Sequence, residues 1–173
     1  MRLFIPATLA MLETLLDGGE MPVRSATAFA ATPALVESYA QGDTEEIEHV
    51  AFLEAARASL RLLGGEIDSG AVHEAHPYRR VVVSVDVPDA DARPRPDLDT
   101  AVVRLTRGTV AMDEVAAVHV DLAGAAGPVE AAVAAVDRAD LGDEDAELTV
   151  GDALDLDLAW YDAAELPFLL NLL

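Results

Sequence analysis

The sequence predicts one α/β domain spanning residues 1–173, a layered sandwich with helices against a mostly parallel or mixed sheet of about six strands. Three observations lead there. Short β-branched and apolar runs alternate with stretches of helical periodicity along the chain. Turn and capping residues (Gly-Gly, Thr-Pro, Asp-Thr) stand at the junctions. The length of 173 residues and the 52% hydrophobic content suit a single core. A ferredoxin-like α+β arrangement is the alternative, because the strands between residues 81 and 122 lie too close together for helical crossovers.

Residues 2–6 form a short buried strand. Thr8 caps a helix whose Leu9, Leu12, Leu15 and Leu16 share one side, and Gly18-Gly19 stops it. Residues 26–31 are a second strand of small residues. Thr32-Pro33 then opens a helix with proline at its first position, and Gly42 breaks it. Asp43-Thr44 starts a long helix with a stripe of Ile47, Val50, Ala51, Ala55, Ala58 and Leu62. Glu45, Glu46 and Glu48 sit at its positive end, and Gly64-Gly65 closes it. Residues 66–79 are a loop, 81–87 the strongest strand, and 89–99 a polar loop around Arg93-Pro94-Arg95-Pro96. Strands follow at 101–106 and 115–122, and then a helix at 128–139 that presents Val129, Ala132, Val133 and Val136. Residues 143–157 are an acidic connection. A last strand covers 158–161, and Asp162 with Glu165 forms a capping box beyond which Pro167 fits poorly inside a helix.

The charge inventory restricts partners more than any motif restricts chemistry. Asp and Glu number 32 and the basic residues 11, a net charge of -21. Every basic residue is arginine, and lysine and cysteine are absent. Such a field disfavours nucleic-acid backbones and anionic membranes and favours basic protein surfaces or cations. A GC-rich genome and a salt-loving host both account for arginine without lysine. Without cysteine there are no disulfides, thiol nucleophiles or thiolate metal sites. The apolar start is interrupted by Pro6, and Glu13, Asp17 and Glu20 separate it from Ala28-Phe29-Ala30, so a cytoplasmic strand and helix is expected, not a secretory signal. No apolar run is long enough to span a membrane.

Five constellations are candidates for chemistry or recognition. If the first two strands are parallel neighbours, Thr8, Thr32 and Asp162 gather at one strand-end edge, where helix N-termini offer a site for an anionic ligand; ordinary capping is the simpler reading. His73-Glu74-Ala75-His76 lacks metal-site spacing, and His49 and His119 lie elsewhere, so neither a metal nor a cofactor is expected. The acids from Asp140 to Asp157 lack the pattern of a calcium loop and read as solvated. Glu54, Arg57 and Arg61 follow a helix-surface line suited to intrahelical pairing. Arg79, Arg80, Arg93 and Arg95 are candidates for a small anion patch. Trp160, Tyr161 and Phe168 head an apolar C-terminus that either docks on the sheet or serves as an interface.

The segments MRLFIPATLAML, TAFAATPAL, EEIEHVAFLEAARASLRLL, RRVVVSVDVPD, VAAVHVD and LAWYDAAELP span nearly the whole chain. They resemble a family of uncharacterised actinobacterial proteins described as hypothetical or as a domain of unknown function. The resemblance implies a GC-rich actinobacterial origin and a cytosolic location; it implies no activity and carries over no functional residue. The expectation is therefore a small acidic module without catalysis that binds a protein partner or itself. The alternative is a small-molecule site, binding or enzymatic, at the strand-end edge.

Overall fold

Seven strands make one continuous sheet in which every neighbouring pair runs antiparallel. A computed structural model describes residues 1–173. The chain enters through β1 (Arg2–Ala7), α1 (Leu9–Gly18), β2 (Glu20–Pro22) and β3 (Thr27–Phe29). It continues through α2 (Pro33–Ser38), α3 (Thr44–Ser69), β4 (Val81–Asp86), β5 (Ala92–Pro94) and β6 (Val102–Leu105). It ends with β7 (Thr109–Ala111), β8 (Val115–Asp121), α4 (Ala126–Asp140), α5 (Glu144–Leu154), β9 (Leu158–Asp162) and α6 (Leu166–Leu172). The large sheet has the order β5-β6-β3-β1-β4-β8-β9, and β2 and β7 pair separately.

This corrects the expected α/β class: the fold is α+β, and the sheet is neither mostly parallel nor mixed. Alternation of strand and helix does not fix strand direction. Here α1 brings the chain back beside β1 in the opposite sense, with Phe4 facing Phe29 across β1 and β3. Of the passages through an α-helix, only β3–α3–β4 joins strands of like direction, and β1 lies between them. A ferredoxin-like fold interleaves two such split units; this chain has one.

Each face of the sheet buries a different set of alternate residues, as the pleat requires. Leu3, Ile5, Val83 and Val118 pack with Leu9, Leu12 and Leu15 of α1 and Leu166 and Leu169 of α6. On the opposite face Phe4, Phe29, Val82 and Val102 meet Ile47, Ala51 and Ala55 of α3. The farther half of α3 builds a third cluster in which Leu60 and Leu63 pack on Val129, Ala132 and Val136 of α4 and Ala146, Val150 and Ala153 of α5.

Helix boundaries depart from expectation where packing outweighs local propensity. Helix α3 runs straight through Gly64-Gly65 to Ser69 and stops at Gly70, whose φ of 73° makes the left-handed cap. Two interior glycines cost about 1 kcal/mol each. The adjacent Leu60 and Leu63 offset this by burial against α4. Residues 144–154, expected as an acidic connection, are α5: Asp143 caps Ala146 N–H at 2.9 Å, and Glu144, Asp145 and Glu147 occupy the dipole-favoured first turn. Pro167 is accommodated because the Asp162–Glu165 capping box closes a 3-10 turn first, which leaves the proline in the opening turn of α6.

The arginines are mostly ion-paired, and two expectations about them change. Arg57 and Arg61 do not pair within α3. Arg57 reaches Glu147 at 2.7 Å and Asp140 at 3.0 Å, and Arg61 reaches Asp140 at 2.6 Å, clamping α3 to α4 and α5. Nor do the later arginines form an anion patch. Arg80 is fully buried in a two-pronged pair with Asp121 (2.7 and 2.8 Å), Arg79 donates to the Asp121 backbone carbonyl, and Arg95 pairs with Asp97.

Candidate functional site

The sheet has two edges, β5 and β9, and they present different groups to solvent. Its register against β8 sets Trp160 opposite His119 and Tyr161 opposite Val118. On the far side of β8, the Asp121 backbone N–H donates to the carbonyl of Arg80, the residue before β4. Backbone groups alternate direction along an antiparallel strand. His119 and Asp121 therefore point to β4, while Val118 and Val120 point to β9. Their partners Tyr161 and Ala159 consequently spend their backbone groups on β8, and the N–H and C=O of Trp160 point away from the sheet.

The Trp160 side chain is 60% exposed. It stands on the face that carries His119, whose ring lies edge-on to Phe52 of α3 with centroids 4.8 Å apart. Phe52 also meets Phe4 edge-on and stacks on His49, so Trp160 adjoins an aromatic group at the border of the helical layer. His119 Nε2 lies 3.0 Å from Ser84 Oγ. Burial, together with the Arg2 charge, pushes the imidazole down to about 4, so it is neutral at physiological pH. Asp157 and Asp162 flank the strand, and β9 itself carries no basic residue.

The start of β9 is held firmly. Arg80 Nη2 donates to the Leu156 carbonyl at 3.1 Å while its other contacts engage Asp121, which faces Leu158 in the register. A fully buried ion pair thus fixes the strand that carries an exposed tryptophan.

The apolar C-terminal residues separate. Tyr161 points to the other face of the sheet and packs against the cluster that contains Leu166 and Leu169. Phe168, 67% exposed, stands on the outer side of α6. Trp160 and Phe168 accordingly belong to different layers, with β9 between them, and do not form one flat patch.

The structure does not bring Thr8, Thr32 and Asp162 together. Antiparallel pairing places Thr8, after β1, at one end of the sheet. Thr32, after β3, and Asp162, at the end of β9, lie at the other end. Those two are four strand positions apart, roughly 19 Å at the usual inter-strand spacing. Each is a helix or turn cap: Thr8 accepts from Met11 N–H, Thr32 from Leu35 N–H and Asp162 from Ala164 N–H. The Thr32 hydroxyl also donates to the Thr100 carbonyl. Only Thr8 has a further partner of chemical interest, donating to Glu66 Oε1 at 2.5 Å. Sequence reasoning passed over Glu66, because it placed that residue in a loop beyond the helix.

The histidines are dispersed: His73 stacks on His76 and approaches Glu13 at 3.4 Å, His49 lies on Phe52, and His119 lies under the β9 edge. No group of three or more His, Asp or Glu side chains is placed to hold a metal ion. No helix is long and apolar enough to cross a membrane.

A model of a family described as "Family of unknown function (DUF6912)" matches residues 1–170, so the chain belongs to that family. No curated protein and no solved structure matches the chain.

Proposed function

We propose that this member of a family of unknown function is a binding module that takes a basic, partly apolar segment of a partner protein as an added strand on β9. The observation that carries the reading is Trp160, whose backbone groups face outward and whose indole stands exposed on an acidic chain. Strand addition draws affinity from main-chain hydrogen bonds and specificity from alternate side chains. A residue of the incoming strand opposite Trp160 meets an aromatic surface. Its neighbours two positions away on the same face lie near Leu158 and Asp162, where a basic side chain is favoured. Self-pairing along β9 is disfavoured, because two copies each carry a charge of -21. The chain composition and the family resemblance support a cytoplasmic location and an actinobacterial source for this module, and neither supports a nucleic-acid partner.

Trp160 is the chain's single tryptophan, so its emission reports on the site directly. Titration with an extended peptide of about seven residues, alternating valine and arginine, is expected to blue-shift the emission as the indole is covered. The same peptide with glutamate for arginine is expected to leave it unchanged, and added salt to weaken the response. Equal responses to both peptides, or to neither, would sink the reading. So would concentration-dependent self-association that survives at low salt.

A further inference from the structure

A cavity of about 290 Å³ opens between α1, the turn that follows β2 and the last turns of α3. Met11, Pro22, Leu62 and Gly65 supply its apolar wall, and Arg24 and Glu66 its charged groups. Glu66 Oε1 accepts from the Thr8 hydroxyl, whereas Oε2 is buried without a partner. Burial pushes the Glu66 carboxyl up, and the Thr8 bond and the Arg24 charge pull it back down. Arg24 stands exposed at the mouth of the cavity and is one of the five arginines, out of 11, that no ion pair engages. The turn that presents it is strained, with Ser25 (φ 53°) and Ala26 (φ 51°) both in the left-handed region. It is fixed by bonds from Val23 N–H to the Gly108 carbonyl and from Ala26 N–H to the Val23 carbonyl. Strain of this kind persists where surrounding structure enforces it, and it concentrates at ligand sites.

We propose that this cavity binds a small zwitterion, an α-amino acid with an apolar side chain. Its ammonium donates to the Glu66 carboxylate, its carboxylate accepts from the Arg24 guanidinium, and its side chain lies on Met11, Leu62 and Pro22. A simple anion is repelled by Glu66 and a simple cation by Arg24, and an uncharged ligand without a donor leaves the buried Glu66 Oε2 unpartnered. The volume lies at the small end of ligand pockets and excludes nucleotides and coenzymes. The site is separate from the β9 edge, and the two proposals stand or fall independently.

Calorimetric titration of the full chain with L-leucine and L-methionine tests this. The controls are 3-methylbutylamine, which lacks the carboxylate, and 4-methylpentanoic acid, which lacks the ammonium. The amino acids are expected to bind, each control at least about tenfold more weakly. Glu66→Gln keeps an acceptor for Thr8, and with Arg24→Gln it is expected to weaken amino-acid binding by about tenfold or more, with far-UV circular dichroism and melting temperature retained. Trp160→Ala is expected to leave amino-acid binding unchanged. Absence of binding up to ~10 mM, at which even weak ligands of millimolar affinity register, overturns the proposal. So does equal affinity for the amine or the acid, or undiminished affinity in both folded variants.

Discussion

The two edges of the seven-stranded sheet differ in every property that governs strand pairing. Strand β5 is three residues long, ends in Pro94 and shows Arg93 and Pro94 to solvent. Main-chain bonds from Arg95 N–H to the Val102 carbonyl and from Thr106 N–H to the Asp91 carbonyl continue its pairing with β6, with no buried ion pair behind them. These are the devices that keep an edge from recruiting another chain: short length, proline and positive charge. Strand β9 is five residues long, has neither proline nor a basic residue, exposes Trp160 and is fixed at its start by the buried Arg80–Asp121 pair. One edge is closed and loosely held; the other is open and rigidly held. An edge that was merely unprotected would not need such anchoring, so the contrast favours recognition over accident.

The largest expected effect comes from loosening the rigid edge. Asp121→Ala leaves the Arg80 guanidinium buried and unpaired, a loss of about 3–5 kcal/mol in urea unfolding. A loss below about 1 kcal/mol, the size usual for an exposed pair, would show that the pair is not the anchor. Next, Trp160→Pro removes the indole and, of the main-chain groups of β9, only the outward N–H, leaving the bonds to β8 intact, so melting temperature should hold. Binding of a labelled basic peptide should nonetheless drop by about tenfold or more, read by anisotropy. Trp160→Ala, which keeps the N–H, should lose the aromatic share alone, and any ranking that puts it below Trp160→Pro in affinity would refute the strand-addition geometry.

The β9 side should also respond to acid in a way the β5 side does not. His119 titrates near 4 when folded and 6.5 when free, so the unfolded chain takes up its proton first as pH falls. The His119 contribution should therefore decline from pH 6.5 to about 4 and level off below, by ~1–2 kcal/mol after allowance for partial exposure, while the ion-paired Asp86, Asp140 and Glu147 go on losing stability in stronger acid. His119→Leu should flatten that slope in pH-dependent melting curves. The smallest effect is a gain: Arg93→Val with Pro94→Thr unlocks the closed edge and should produce weak, concentration-dependent association in sedimentation. A variant that stays monomeric would mean that charge alone keeps copies apart.

Much of this architecture is legible in residue order. Val81-Val82-Val83 announces a central strand, Thr8 and Asp43 announce helix starts, and Asp162 with Glu165 announces the box before α6. Strand direction is not legible, because it is decided by which partner each strand finds across long stretches of chain. Helix α5 is masked by its own acids, which suit a first helical turn as well as a solvated loop. The continuation of α3 through Gly64-Gly65 depends on the α4 contacts of Leu60 and Leu63, and propensity cannot show those. That one boundary hid Glu66: a carboxylate becomes noteworthy only once it lies on a helix facing Thr8. For the interface, Trp160, Tyr161 and Phe168 are candidates through their company in one apolar run of sequence, and the pleat and α6 divide them between layers.

The central position of β1 has a kinetic side. It is made well before β4, yet β4 is the neighbour that pairs with it along its full length, and Arg2 meets Asp86 across 84 residues of chain. Closing so long a loop delays the step that organises the sheet, and contacts of high sequence separation slow folding generally. Until β4 emerges, Leu3, Phe4 and Ile5 can rest only on α1 and the three residues of β3. A nascent chain in that condition exposes an apolar strand, a state in which intermediates are prone to aggregate. The net charge of -21 then has a use during synthesis, holding half-made copies apart until β4 and β8 complete the sheet.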